Sequence, residues 1–242
     1  MYPRLTRAPV REAVIDVRAS FEKPPPSASY KKFQEALSGQ FPKAAPLQHV
    51  QLSYNLDSRE SSQKHIELGM RLDNPETAEV VQAKPEGIIY SKLAPYDTWD
   101  TLVRSAREVA EVYWEIFSPR QVARISTRFI NVISLPEGPI DFDEYLVFGP
   151  QLPKGLPQTV SEFQNRIVSP QPDGKTLLVI STRFPGPEVG SGISVVLDID
   201  AVRNAVFRDL ASAFESLGEL RSLKNAAFFN SITDCTREQL NG

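Results

Sequence analysis

Alternating apolar and polar residues open the chain and predict its first strand. This period of two is typical of a strand with one buried face. It extends over residues 10–21, where Asp16 and Arg18 fall on the polar side. Three consecutive prolines then end the strand, because proline fixes φ and removes a backbone donor. The same alternation at 47–56 and 66–72 predicts two further strands.

Apolar residues spaced by three and four positions predict two long helices. The first begins at Asp97 or Thr98 and ends before Pro119, and its apolar stripe is the pattern of a helix that faces a core. The second covers residues 201–232, and Gly218 predicts a break or kink within it.

The order of strands and helices is repeated along the chain. Residues 10–21 and 122–136 each form a predicted strand with arginine on its polar side, followed by a short amphipathic stretch, further strands and a long helix. We therefore expect an α+β fold made by tandem duplication, with pseudo-repeats at about 1–119 and 120–242 joined in a single compact domain over 1–242. The strands of the second half are expected at 122–135, 158–169, 176–184 and 192–199.

Hairpin turns between successive strands, without βαβ alternation, favour an antiparallel sheet. The expected architecture is a curved, mainly antiparallel sheet with the long helices packed on one face, similar to the TATA-binding-protein-like or helix-grip folds. The other face of such a sheet is free of helices and displays the polar side of each strand.

Composition narrows the class of protein. The chain is 41% hydrophobic and 24% charged, with a net charge of −3, so no overall positive field attracts it to nucleic acid or to an anionic membrane. Cys235 is the only cysteine, which excludes an internal disulfide and favours a reducing compartment. The start lacks a signal peptide's apolar core, and no run approaches the ~18 apolar residues of a membrane span. We therefore expect a cytoplasmic protein with no membrane partner.

Three segments carry a family resemblance. They are APVREAVIDVRASF at 8–21, RISTRFINVISLP at 124–136 and FFNSITDCTREQLNG at 228–242. Together they resemble an uncharacterised, sporadically distributed bacterial protein family that has no assigned activity. Such a patchy distribution implies horizontal transfer, which suits accessory genes such as defence or toxin–antitoxin modules. The resemblance and the lack of catalytic signatures predict a non-enzymatic interaction protein with a protein partner.

Arginines on polar strand faces are the main candidate binding residues. If the strands share one polar face, several guanidinium groups converge there, and their planar forks suit phosphate or carboxylate. An anion-binding or nucleic-acid-binding protein is therefore the alternative function. The opposing interpretation is cross-strand pairing with acids such as Asp16, Glu67, Glu162 and Asp198. The arginines are Arg18, Arg71, Arg124, Arg128, Arg166 and Arg183.

Asn131 falls on the apolar side of its strand. A buried amide needs hydrogen-bond partners, so it is predicted either to orient a ligand or to clamp a neighbouring segment. A third hypothesis, an enzyme with its site between the two halves, requires Asn131, Arg128 and an acid such as Asp16 or Glu162 to meet in one pocket.

Recognised catalytic and cofactor motifs are missing from the sequence. There is no GxSxG element and no phosphate loop ending in GK[ST]. His49 and His65, with Glu67 nearby, lack a recognisable metal-ligand spacing. No catalytic residue, metal site or cofactor is predicted.

Overall fold

The computed structural model describes residues 2–3, 5–54, 61–186 and 192–242, apart from the side chains at 49–53, 62 and 64–67. The side chains of His49, His65 and Glu67 therefore lie outside the described residues. The strands are β1 (Val10–Ser20), β2 (Lys43–Tyr54), β3 (Ser61–Asn74), β4 (Glu79–Lys84), β5 (Gly87–Leu93), β6 (Gln121–Ser134), β7 (Phe163–Pro170), β8 (Thr176–Phe184) and β9 (Ser194–Phe207). The helices are α1 (Ala28–Leu37), α2 (Trp99–Phe117), α3 (Phe142–Tyr145), α4 (Leu210–Glu215), α5 (Leu217–Ser231) and α6 (Asp234–Asn241).

The strands form one nine-stranded sheet in the order β2-β3-β4-β5-β1-β6-β9-β8-β7, and all neighbours are antiparallel. This confirms the α+β class and the antiparallel pairing. The first strands of the two halves, β1 and β6, pair at the centre. On each side of this pair, the remaining strands of that half follow outward in reverse chain order.

Helix α2 begins and ends where the sequence predicts. The Thr98 side chain accepts a hydrogen bond from the backbone N–H of Thr101, which satisfies one of the free donors of the first turn. Ser118 adopts a left-handed conformation with φ 48° and its N–H donates to the Trp114 carbonyl, and Pro119 follows.

Two predicted boundaries in the second half are wrong. The strand expected at 158–169 begins only at Phe163, and the helix expected from 201 begins only at Leu210. Residues 201–207 instead continue β9, because Ala201 and Val202 pair with β6 and bury their side chains. The break predicted near Gly218 is confirmed, since α4 ends at Glu215 and α5 begins at Leu217.

The helices cover the face of the sheet that carries the apolar side of β1. Ala13, Ile15 and Val17 are buried there together with apolar residues of α2. Helix α5 packs on β9 and β6, where Ile133, Leu197 and Ile199 are buried against its residues. The longest described helix, α2, has 19 residues, and no helix in the described part is both long and apolar enough to cross a membrane.

Candidate functional site

The strand register places the six candidate arginines on the face of the sheet opposite the helices. Arg18 lies opposite Arg124, and Arg128 lies opposite Val14 on one side and Asp200 on the other. In the second half, the pairing of β9 with β8 and of β8 with β7 places Arg183 and Arg166 on the same face. In the first half, the pairing of β1 with β5, β5 with β4 and β4 with β3 places Arg71 on it as well.

Carboxylates pair with four of these arginines. Asp16 lies 2.9 Å from Arg18 and 2.8 Å from Arg124. Arg128 donates two hydrogen bonds to Asp198, at 2.8 and 2.5 Å. This side-chain hydrogen bond raises the pKa of Arg128.

The outer arginines differ between the two halves. Arg71 pairs with Asp73 at 2.6 Å. Arg166 and Arg183, at the β7 edge of the sheet, are exposed and make no ion pair with any described residue. Pairing with carboxylates therefore accounts for the central arginines, and of the six candidates only Arg166 and Arg183 have no ion-pair partner among the described residues.

A half-buried acid, Asp200, completes the polar centre of this face. Burial raises the pKa of Asp200 from 3.8 to about 6, and the neighbouring carboxylates of Asp16 and Asp198 act in the same direction. Arg124 is 3.8 Å away, and one carboxylate oxygen of Asp200 has no hydrogen-bond partner among the described residues. Positive charge at the centre of this face is therefore already compensated, which leaves little attraction for an added anion.

A cleft of about 970 Å³ opens on the helix-bearing side of the sheet. Four segments that are far apart in the sequence line it: the N-terminal segment up to Arg11, the 94–100 connection into α2, part of β6 around Phe129, and the 221–229 portion of α5. Its volume falls within the range of small-molecule sites.

The charged side chains of the cleft are mostly cationic. None of the four cations among its lining residues forms an ion pair with a described residue. Two acids also line it, and one of these, Asp97, lies 3.5 Å from Lys92, which is outside the lining. The other acid is Asp100. The cations are Arg7, Arg11, Arg221 and Lys224.

Lys224 has the most unusual environment of these cations. Its Nζ lies 3.6 Å from the centroid of the Phe129 ring and makes no hydrogen bond or ion pair with the part of the chain that the structure describes. Burial, together with the nearby Arg221 guanidinium, lowers the pKa of Lys224 from 10.5 to about 7. The side chain keeps part of its surface accessible from the cleft.

Helix α5 and an aromatic cluster position the two cations. Arg221 and Lys224 are three residues apart on α5 and so lie on one side of it. The Arg221 guanidinium is 5.3 Å from the Trp99 ring centroid. Trp99 stacks on Phe129 at 6.4 Å, and the Tyr96 ring meets Phe129 edge-on at 5.3 Å. Each cation is thus held against the face of an aromatic ring, which is a favourable cation–π arrangement.

Asn131 is buried on the cleft side of the sheet, away from the arginines. Its side-chain amide donates to the backbone carbonyls of Phe129, at 3.2 Å, and Leu197, at 3.0 Å. This geometry matches the structural clamp, although Asn131 also lines the cleft. Arg128 lies on the opposite face, so the pocket combining Asn131, Arg128 and an acid is not assembled.

Lys224, Arg221 and Trp99 are not predicted as site residues from the sequence. Trp99 fits the apolar stripe of α2, and two basic residues three positions apart are common on exposed helix faces. The one available signal was that this pair lies beside the apolar stripe of α5, within the segment LRSLKNAAFF. Comparison of the chain with protein-family models and with curated proteins finds no match.

Proposed function

We propose that the protein binds a small organic anion in the cleft between its N-terminal segment, the start of α2 and α5. The observation that carries the proposal is the convergence of four cations without ion-pair partners among the described residues on one aromatic cleft. Of the four, Lys224 is half-buried, whereas Arg7, Arg11 and Arg221 are exposed. A cation partly removed from water without a counter-charge is destabilised, and an anion bound beside Lys224 would supply that charge.

The environment of Lys224 supports the same function. An anion beside the amine would favour its charged form and raise its pKa above the present value of about 7. Binding at a pH above 7 would therefore take up a proton, and affinity would fall as the pH rises. This proton linkage separates binding at Lys224 from binding at ordinary surface lysines and arginines, which stay charged over that range.

The experiment uses Trp99 as the reporter. The chain has two tryptophans, and Trp114→Phe leaves only the one in the cleft. Pyrophosphate, which does not absorb in the fluorescence range, serves as the anionic probe. The protein should show a saturable change of Trp99 fluorescence as pyrophosphate is added. The affinity for pyrophosphate should be about 10-fold to 100-fold lower in Lys224→Met and in Arg221→Ala, which is the usual range for loss of a charged hydrogen bond.

Arg183→Ala is the matched control, since it removes one positive charge from the opposite face of the sheet. The proposal expects unchanged pyrophosphate binding in this variant. Binding that survives both cleft substitutions but is lost in Arg183→Ala would contradict the proposal and favour the arginine edge at β7 and β8.

The arrangement of strands supports a proposal about architecture. We propose that the chain arose by tandem duplication, with β1 equivalent to β6 and β5 equivalent to β9, in a fold of the TATA-binding-protein-like or helix-grip kind. The mirrored order of strands around the central pair supports it. The family resemblance, the protein partner and the accessory-module role remain predictions. The paired central arginines give little support to nucleic-acid binding on the sheet.

A further inference from the structure

We infer that Lys224 forms an imine with the carbonyl carbon of an aldehyde or 2-oxo acid held in the cleft by its acidic group. The inference rests on the proposed anion site and names the class of ligand. The amine has no described hydrogen-bond or ion-pair partner, so only its contact with the Phe129 ring has to be given up for it to react. Arg221, on the same side of α5, is placed to hold the carboxylate or phosphate of such a ligand.

Reactivity of a lysine depends on its uncharged fraction. An ordinary lysine, with a pKa near 10.4, is uncharged in about one molecule in 2,500 at pH 7. Lys224, with its pKa lowered to about 7, is uncharged in about half of the ligand-free molecules at pH 7. Desolvation and a neighbouring cation are recognised means of activating an amine nucleophile, and both act on this residue.

The covalent step requires no oxidant or reductant. The lone pair on Nζ attacks the carbonyl carbon, and the electron pair of the C=O π bond moves to oxygen. A proton then passes from nitrogen to oxygen to give a carbinolamine. A proton from solvent lets that oxygen leave as water with the C–O bonding pair, and the nitrogen lone pair forms the C=N bond. Loss of the N–H proton to solvent then gives the neutral imine. Hydrolysis reverses every step, so the free amine is regenerated.

The test traps the imine with cyanoborohydride, whose hydride reduces C=N to a stable secondary amine. Glyoxylate is the anionic carbonyl probe, and peptide mass spectrometry measures labelling at each lysine near pH 7.5. Lys31 is the internal reference, because its side chain is 80% exposed. We expect Lys224 to be labelled at least 10-fold faster than Lys31, and pyrophosphate to slow labelling at Lys224 alone.

Labelling with a second aldehyde, and labelling of an Arg221 variant, test whether the acidic group of the ligand is recognised. Propionaldehyde lacks an acidic group, so Lys224 should be labelled faster by glyoxylate than by propionaldehyde. Arg221→Ala should abolish this preference. Labelling of Lys224 no faster than that of Lys31, or unaffected by pyrophosphate, would overturn the inference. If Trp99 fluorescence still reports pyrophosphate binding in that case, the anion site stands without the imine. Loss of both signals contradicts the proposed function as well.

Discussion

Replacement of Lys224 by methionine should stabilise the fold at neutral pH, and the gain should shrink as the pH rises. The lysine has a pKa of 10.5 when exposed and about 7 in the fold. Below pH 7 both the folded and unfolded states are charged at this residue, and the full cost of burying the cation is present. Between pH 7 and 10.5 the folded state binds fewer protons than the unfolded state, so the wild-type protein gains stability as the pH rises.

The size of this effect follows from the two pKa values. Each pKa unit corresponds to 1.36 kcal/mol, so the cost at pH 7 is about 4 kcal/mol and declines by about 2 kcal/mol between pH 7.5 and pH 9. Methionine has a similar length without the charge, and it retains the contact with Phe129. The advantage of Lys224→Met over the wild type should therefore fall by about 2 kcal/mol over this interval.

Urea denaturation at the two pH values measures the change, because contributions from other titrating groups cancel between variant and wild type. Lys31→Met is the control, since that exposed lysine should give a difference that does not depend on pH. An advantage of Lys224→Met that is equal at pH 7.5 and pH 9 would refute a buried cation with a lowered pKa.

Three further substitutions test the surrounding structure. Asp200→Asn should stabilise the protein by up to about 3 kcal/mol at pH 8. The gain should disappear as the pH falls from 6 to 4, because the acid has a pKa of about 6 in the fold and 3.8 in the unfolded chain. Urea denaturation at several pH values measures this, and a difference in unfolding free energy between variant and wild type that stays constant with pH would contradict it. Gly87→Ala should destabilise by about 2 kcal/mol or more, because φ is +144° and a Cβ would lie 2.1 Å from the Val17 carbonyl oxygen. Gly39→Ala is the control, because a Cβ at Gly39 meets no atom within 4 Å. Equal thermal unfolding midpoints for the two variants would argue against the close approach of Gly87 to Val17. Phe129→Ala should cost about 3–5 kcal/mol, measured by urea denaturation, and loss of less than 1 kcal/mol would contradict its place in the core.

The sequence predicts most of the sheet because alternation is a local property. The first strand, the cap at Thr98 and the break near Gly218 all depend on neighbouring residues and were recovered. The strand conformation of residues 201–207 is not predicted from the sequence. Ala201 and Val202 suit a helix as well as a strand, and pairing with the distant β6 decides between the two.

The candidate site could not be predicted in the same way. The six arginines were expected from alternation, but their pairing with acids depends on register between strands that are far apart in sequence, such as Asp16 with Arg124. The cleft joins residues from both ends of the chain and its middle, and the environment of Lys224 arises from burial and from Phe129 and Arg221 together. Neither property is encoded in local spacing.

The location of anion binding is the central claim, and NMR mapping tests it most directly. A ¹H–¹⁵N spectrum of the deuterated protein would be recorded as pyrophosphate is added. We predict that shifted amides cluster at 94–100 and 221–229, with the indole N–H of Trp99 among them. Shifts centred instead on the sheet face around Arg124 and Arg128, with the cleft unchanged, would contradict the account.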